Sequence, residues 1–494
     1  MLSIGEIKQF IDEDAISEKK LLAKKGQSYY EGNHDINSYH IYYYNADGVM
    51  VEDKTRSNVK ISHRFFTELV DQGTQYILSG GDGFIKSDKP DLQAELDKYF
   101  NDDEDFIAEL SEAITGCQAK GFEYMYAYKN AEDRIAFQCA DSMGVVEVRA
   151  KDTDSNTEHV IYWYIDRIEK GKKKIKRIQV WDDTEVYYYV QDGEGNIEID
   201  KSVEINPKPH TLYKKDGKTY FDKFGFIPFF RLDNNKKQIG NLSSVKALID
   251  DYDVMACGLS NNIKDASEYV VVAEGFQGDM EALIQNVKTK KHIGIDEGGS
   301  FDFKTIDIPY QARSVKLELD EKNIYRFGFG LNLSGLKDTS ATTNIAIKAA
   351  YSLLDLRCSK LEIRLKQFLR KLIKVVLEEV NNLNGTDYQM KDVYFNFEHE
   401  IMSNAQENAQ VELLEAQRKQ AEITTLLNLA TYLDDETLMQ LICEQLDINY
   451  EDIKNKLPDP NEATNAVKDA QGVLNNVVVD NEPKAEGTSA TILG

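Results

Sequence analysis

The stretch GFGLNLSGLKDTSATTN, from Gly328 to Asn344, connects two segments with helical patterning and decides how the fold is interpreted. It begins with glycines, ends in Ser, Thr and Asn, and carries one lysine, Lys337. The 49 residues from Leu336 to Asn384 contain neither Gly nor Pro, which favours a long helix. A helix from Asn344 to Asn381 would be roughly 55 Å long. A polar connection beside one long helix indicates a segment that moves over another surface.

Two more helices and a small β-containing module precede this connection. Apolar residues recur at three- and four-residue steps from Val245 to Ile263, which predicts a helix capped by Ser243 or Ser244. A second helix is expected after Pro309, a favoured first-turn residue, and ends at Gly328. Between them, the stretches EYVVVAEGF and FDFKTIDI favour strands. The two helices are therefore expected to flank a compact module.

The N-terminal half combines helices with an antiparallel β region. One helix is predicted over Ile4 to Lys25, and others are expected between Ser62 and Ala119. From Phe122 to Asn234 the apolar period changes to two, with turns at Asp192-Gly193 and Asp216-Gly217. These features predict an antiparallel meander of roughly a hundred residues.

The C-terminal part returns to helical patterning. After the long helix, YQMKDVYFNFEHEI predicts one strand, and helices are predicted over Asn404–Ala430, Glu436–Leu446 and Tyr450–Leu457. The last residues, Pro458 to Gly494, hold three of the eight prolines and little apolar patterning, so this segment is expected to be disordered. The fold class is therefore α+β and mainly helical.

Composition limits what the chain can bind. The 494 residues are too many for one compact core, so two to four domains or subdomains are expected. With 85 acidic and 59 basic residues, the net charge of -26 disfavours tight nucleic-acid binding through counterion release. The five cysteines form no CxxC pair, which favours free thiols. No secretory segment or membrane span is apparent, so a soluble protein made in a cytoplasm is expected.

Motifs for catalysis are absent from the sequence. It has no phosphate-binding loop, no G-x-S-x-G elbow and no H-E-x-x-H arrangement. The acidic run at Asn101 to Asp105 could hold Mg²⁺ in principle, but such runs arise by chance in an acidic chain. The six basic residues between Lys170 and Arg177 are typical of a solvated hairpin end. We therefore expect no enzyme activity, no cofactor and no metal site.

Taken together, the order of these segments resembles one family, the portal proteins of tailed double-stranded DNA bacteriophages, of the siphophage type from Gram-positive hosts. The resemblance rests on YYEGNHDI and NVKISHRFFTELVDQGTQYILSGG near the start, and on FIPFFRLDNNKKQIGNLSSVKALIDDYDVMACGLSNNIKDASEYVVV farther along. It continues in LSGLKDTSATTNIAIKAAYSLLDLRCSKLE, and covers about Ile4 to Leu457 in the same order.

The resemblance implies a portal fold in named regions. These are a wing (1–235, with the long helix and return strand 344–400), two stem helices (243–266 and 309–327), a clip (268–308), a tunnel loop (331–343), a crown (404–457) and a tail (458–494). It also implies a dodecameric ring at one capsid vertex of the virion, assembled in the host cytoplasm. The ring would form the channel for DNA packaging and ejection and nucleate procapsid assembly.

Partners follow from the same resemblance. They are other copies of the chain, the terminase large subunit, a head-tail adaptor, scaffolding and major capsid proteins, and double-stranded DNA that passes without sequence specificity. No membrane partner is expected.

Site residues are expected in three groups. Short polar groups that touch DNA without holding it are expected in the tunnel loop: Asn332, Ser334, Lys337, Asp338, Thr339, Ser340, Thr342 and Thr343. Helix phase suggests carboxylates that line the channel: Asp250, Asp251, Asp253, Asp265, Glu318, Asp320 and Glu321. Clip residues expected to bind partners are Gln277, Lys288, Lys290 and Lys291.

Two alternatives remain. One is a metal-dependent nuclease built on Asp102, Asp103 and Asp105, and the other is a different ring-forming phage head-tail connector, such as an adaptor. Chain length and the order of helix, β module, helix, loop and long helix argue against both. A metal-dependent cleavage assay would test the first, and particle mass with images of a ring would test the second.

Overall fold

The computed structural model describes residues 1–54, 56–80, 83–130, 132–149, 157–171, 173–215, 218–266, 270–274, 300–304, 310–332, 344–397, 399, 405–428, 432–433 and 435–445. Helices and strands are mixed throughout these ranges, which confirms the α+β class. The chain divides into two compact units, Met1–Met402 and Ser403–Gly494.

Ten α-helices lie in the described ranges: α1 (Ile4–Ala15), α2 (Glu18–Tyr30), α3 (Phe65–Ile77), α4 (Pro90–Leu96), α5 (Glu104–Lys120), α6 (Lys246–Ala266), α7 (Tyr310–Gly328), α8 (Asn344–Asn384), α9 (Ala405–Asn428) and α10 (Asp435–Gln445). The long helix was predicted correctly as α8. The single helix predicted over Ile4 to Lys25 is wrong, because Ser17 starts a new helix by accepting a hydrogen bond from the Lys20 amide at 3.3 Å.

The strands in these ranges are β1 (Tyr42–Tyr44), β2 (Met50–Glu52), β3 (Ile85–Lys86), β4 (Phe122–Lys129), β5 (Ile135–Ala140), β6 (Val145–Arg149), β7 (Thr157–Glu169), β8 (Lys173–Trp181), β9 (Glu185–Gln191), β10 (Ile197–Ile199), β11 (Lys208–Pro209), β12 (Thr211–Lys215), β13 (Lys218–Asp222), β14 (Phe229–Asp233), β15 (Val270–Glu274), β16 (Ser300–Lys304) and β17 (Tyr394–Phe395).

The predicted meander is not one sheet. Strands β6 to β10 pair in sequence order, with β11 also on β9, whereas β14, β4 and β5 form a separate three-stranded sheet. The separation depends on β14 returning across about a hundred residues to pair with β4, so that Phe229 lies opposite Tyr126. Period-two patterning reveals strands but not such long-range pairing, and the single meander was therefore wrong in its connectivity.

The largest core lies between α8, the α3–α5 region and the three-stranded sheet. The centre of the apolar stripe on α8 is fully buried at Leu365, Leu369 and Leu372. Outside this stripe, Leu356 is 47% exposed, and the Arg357 side chain donates to backbone carbonyls of Gly328 and Leu69. Strand β17 then pairs with β3, as the expected return strand.

The second unit contains α9 and α10, close to the helices predicted over Asn404–Ala430 and Glu436–Leu446. The third helix predicted there and the tail 458–494 lie outside the described residues.

Candidate functional site

Helices α6 and α7 pack side by side and are joined through the antiparallel pair β15–β16. The predicted caps of α6 are wrong, because the Ser243 and Ser244 hydroxyls donate to the carbonyls of Gly240 and Asn241 in a 3-10 turn before the helix. On the flank of the pair, the Lys316 ammonium bonds Asp251 at 2.5 Å and also Asp320. These hydrogen bonds raise the pKa of Lys316.

Asp253 lies inside the protein, although it was expected to line a channel. It is 1% exposed, and its carboxylate contacts His34 Nδ1 and His63 Nδ1 at 2.7 Å each and the His63 amide at 2.9 Å. Burial alone would raise the pKa of Asp253, but the hydrogen bonds from His34 and His63 hold it below its ordinary value. A buried, bonded carboxylate cannot face a channel, so this prediction is wrong.

Asp320 is contradicted for the same reason. It is 3% exposed and is paired with Lys316 one turn earlier on α7. Helix phase alone misplaced both carboxylates, because it cannot show which side of α6 or α7 is covered by distant parts of the chain. The residues that cover Asp253 are about 190 and 219 positions away in sequence.

Asp250 belongs to a polar network with the N-terminal helices. It accepts a hydrogen bond from the Tyr29 hydroxyl and pairs with Lys246 at 2.6 Å. Lys246 also pairs with Asp35 at 2.8 Å, and Lys25 pairs with the same carboxylate at 2.8 Å. Burial would raise the pKa of Asp35, but hydrogen bonds from Lys246 and Lys25 lower it to about 2. This network ties α2 to the start of α6.

The segment from Ser57 to His63 runs antiparallel to α6 and bonds to it at every second residue. The amides of Ser57, Val59, Ile61 and His63 donate to side chains of Asp265, Asn261, Cys257 and Asp253, respectively, over 2.7–3.2 Å. The four acceptors stand four residues apart on one face of α6, so the helix offers a ladder of acceptors to the segment. Sequence reasoning missed this contact, although the D-x3-C-x3-N-x3-D spacing is visible in the sequence.

The remaining expected channel carboxylates differ in environment. Asp251 and Glu318 are exposed, whereas Asp265 accepts from the Ser57 amide and Glu321 accepts from the Asn332 side-chain amide at 3.5 Å. Of the seven acidic residues expected along the channel, Asp251 and Glu318 are therefore the most open to solvent.

The start of the loop after α7 is held against α3. Leu331 is buried, and its amide and carbonyl both bond to the Gln72 side chain at 2.9 Å. Gly328 and Gly330 pack on Leu69, where a Cβ would collide with its side chain. The residue that turns the chain is Phe329, whose φ of 54° lies in the left-handed region. Close packing on Leu69 therefore explains these two glycines.

Most of the expected loop and clip residues belong to parts of the chain that the structure does not describe. The loop residues Ser334, Lys337, Asp338, Thr339, Ser340, Thr342 and Thr343 and the clip residues Gln277, Lys288, Lys290 and Lys291 lie outside the described residues. Asn332, at the edge of the loop, is half-buried.

The acidic run at Asn101 to Asp105 has a local structural role. The Asp103 carboxylate accepts from the amides of Asp105 and Phe106 at 3.0 and 3.1 Å and so caps α5. Within the described ranges, no group of three or more His, Cys, Asp or Glu side chains is placed to hold a metal ion. The described helices include none with the length and apolar character needed to cross a bilayer.

In the described part of the chain, the two packed helices α6 and α7 precede the 41-residue helix α8. A sequence model of the family described as "Phage portal protein, SPP1 Gp6-like" matches residues 11–451, and the chain belongs to this family. The family is structural, and its description names no enzymatic activity.

Two relatives are similar over most of their length. The chain is 26% identical to the portal protein of Bacillus phage SPP1 over 74% of this chain and 71% of the relative. It is 27% identical to the portal protein of Clostridium phage phiCD119 over 83% of this chain and 89% of the relative. Both phages infect Gram-positive hosts, in agreement with the resemblance found in the sequence.

Proposed function

We propose that this portal protein assembles as a twelve-membered ring at one capsid vertex and that DNA enters and leaves the head through its centre. In this proposal α6 and α7 form the stem, residues 268–308 the clip and residues 331–343 the tunnel loop. Residues 1–235 with 344–400 form the wing, and 404–457 form the crown inside the capsid. The assignment rests on membership in the portal family together with the order of these elements along the chain.

The observation that carries ring formation is the exposure of apolar side chains on the proposed stem and long helix. Val315 and Leu319 on α7 are 64% and 53% exposed, and Ile363 on α8 is 61% exposed. Val315 and Leu319 are four residues apart and therefore share one face of α7. A closed ring needs one face of each chain to fit a different face of its neighbour, and such contacts would cover these side chains.

The net negative charge of the chain supports the passage of DNA through the ring without adhesion. Twelve copies at -26 would carry about -312, and tight phosphate neutralisation would oppose sliding. Glu318 and Asp251 are the stem carboxylates most accessible to phosphates, since both are exposed, although Asp251 is paired with Lys316. In the loop, Lys337 is the single cation, and Asp338 stands beside it.

Partners are assigned by region. The clip would bind the terminase large subunit during packaging and a head-tail adaptor afterwards. Scaffolding and major capsid proteins would bind the ring during procapsid assembly in the host cytoplasm. DNA would be contacted without sequence specificity.

The experiment that tests this function is the mass of the purified particle, combined with negative-stain images. We expect rings with a central hole, whose mass is a multiple of the 56.3 kDa chain. A single unassociated chain at every concentration and salt tested would overturn the proposal.

Sliding is tested separately with the double variant Asp251→Asn and Glu318→Gln. We expect intact rings and slower packaging in a reconstituted system, because phosphates would adhere more strongly to a neutral bore. An unchanged packaging rate would remove the electrostatic part of the proposal and leave the ring itself untouched.

A further inference from the structure

A cavity of about 540 Å³ lies between the loop at 234–244, the end of α7 and the first part of α8. Its charged lining residues are all cationic: Lys236, Lys237, Arg357 and Lys360. No carboxylate is among the described residues that line it. In a chain with a net charge of -26, four cations and no carboxylate among the described lining residues of one cavity require an explanation.

Arg357 at the back of this cavity has no anionic partner among the described residues. Its two terminal nitrogens donate to the backbone carbonyls of Gly328, at 3.0 Å, and of Leu69. Its Nε is buried and has no hydrogen-bond partner in the described part of the chain. Burial lowers the pKa of Arg357. Backbone carbonyls do not neutralise a guanidinium, so the desolvation cost of the Arg357 charge is not compensated within the single chain. An anion bound in the cavity would offset this cost.

The neutral polar groups of the cavity are already used within the chain. The Asn234 side chain donates to the Ile239 carbonyl and to Asn241, both at 2.9 Å, and Asn235 donates to the Ile239 carbonyl at 2.6 Å. By contrast, Lys236, Lys237 and Lys360 are exposed and form no ion pair with the described carboxylates. The cavity therefore has unpaired positive charge but few free hydrogen-bonding groups, such as those that recognise the edge of a nucleic-acid base. We expect it to select its ligand by charge.

We propose that this cavity receives an acidic segment of a second copy of the chain, whose carboxylates pair with Arg357 and the three lysines. The inference rests on the proposed ring. Copies that each carry 85 acidic residues repel one another, so a cationic recess is a point at which they attract. Four cations and about 540 Å³ provide for more than one carboxylate, which favours a segment over a single side chain.

The direct test is carbodiimide crosslinking, which joins lysines to carboxylates that already touch. Rings are assembled from equal amounts of unlabelled and nitrogen-15-labelled chains and then crosslinked, digested and analysed by mass spectrometry. We expect crosslinks from Lys236, Lys237 or Lys360 to an acidic peptide, in pairs that combine one labelled and one unlabelled chain. Crosslinks within single chains only, or none from these lysines, would overturn the inference.

A charge-reversal variant gives a second readout. Lys236→Glu with Lys360→Glu should raise the chain concentration needed for ring formation at least tenfold, while circular dichroism stays unchanged because both side chains are exposed. The matched control is Lys170→Glu with Lys174→Glu on the β7–β8 hairpin, where two equally exposed lysines are reversed. The control should assemble like the wild type.

The outcomes separate this inference from the ring itself. Wild-type rings with equally stable variant rings would overturn the inference alone. If the variant assembles normally but loses binding of inorganic phosphate measured by calorimetry, the occupant is a free oxyanion and the assignment to a second copy is wrong. Wild-type chains that form no ring would contradict the proposed function, and this inference with it.

Discussion

At the scale of single residues, Asp253 connects three parts of the chain. It accepts hydrogen bonds from His34, which follows α2, and from the ring and amide of His63, which precedes α3. His34 in turn stacks on Tyr29, with ring centroids 4.5 Å apart. One carboxylate thus fixes the position of α6 against the N-terminal helices.

Asp253→Asn should lower the free energy of unfolding by about 3 kcal/mol. An amide has only one acceptor oxygen, so its NH₂ group would face the N–H of one histidine, and two hydrogen-bond donors would oppose each other. The measurement is the thermal unfolding midpoint at pH 7, followed by circular dichroism. Asp251→Asn is the matched control on the same helix turn, and its partly exposed pair with Lys316 should contribute less than about 1 kcal/mol. Equal midpoints for the two variants would contradict the structural role of Asp253.

The pH dependence of this contribution has a definite sign. The folded-state pKa of Asp253 lies below its ordinary value near 3.8, so its ionisation stabilises the fold above that value. The stabilisation is lost as pH falls through the folded pKa. The difference in thermal unfolding midpoint between the wild type and Asp253→Asn should therefore become smaller when unfolding is measured below about pH 4.

Gly26 shows a second constraint at this scale. On α2, a Cβ at Gly26 would collide with the backbone carbonyl oxygen of Ala119 on α5. Gly26→Ala should lower the free energy of unfolding by about 1–3 kcal/mol, because backbone cannot move aside as a side chain can. In the control Gly5→Ala on α1, nothing lies within 4 Å of the new Cβ, and stability should rise by about 0.5 kcal/mol. Unfolding midpoints that move in the same direction would contradict the packing argument.

At the scale of elements, the segment from Ser57 to His63 depends on side chains of α6 rather than on a sheet or helix of its own. Asn261→Ala removes the acceptor of the Val59 amide, which lies 2.7 Å from the Asn261 side-chain oxygen. We expect hydrogen exchange at residues 57–63 to become faster by about tenfold, with a change in global stability of about 1 kcal/mol.

The control for this element is Val254→Ala, an exposed position on the same helix. It should leave exchange at residues 57–63 unchanged. Protection that persists in Asn261→Ala would show that the segment is held by packing and not by the ladder of acceptors.

Helices and strands could be predicted from the sequence where the sequence pattern that specifies them is local. The absence of Gly and Pro from Leu336 to Asn384 was sufficient to identify α8, and period two identified most strands. The pairing of β14 with β4 was not predictable, because it joins residues about a hundred positions apart. Asp253 was misassigned for the same reason, since its histidine partners come from a distant part of the chain. Both of these failures concern contacts between residues that are distant in sequence.

At the scale of the whole molecule, the proposed ring requires the exposed face of α7 to contact a neighbouring copy. Val315→Asn with Leu319→Asn should raise the concentration required for ring formation at least tenfold, because each apolar side chain buried at a contact contributes about 1.5–3 kcal/mol. The monomer should keep its helix content and unfolding midpoint, since both side chains are already 64% and 53% exposed in the single chain. Mass photometry over a concentration series measures the effect.

Ile168→Asn is the matched control, because Ile168 is equally exposed, at 65%, but lies near the end of β7 and not on the proposed stem. It should assemble like the wild type. If the α7 variant also assembles like the wild type, the apolar face of this helix does not contact a neighbouring copy, and closure of the ring must depend on other surfaces, such as α8 around Ile363. If both variants fail to assemble, exposed apolar area in general promotes association, and the specific role of α7 is wrong.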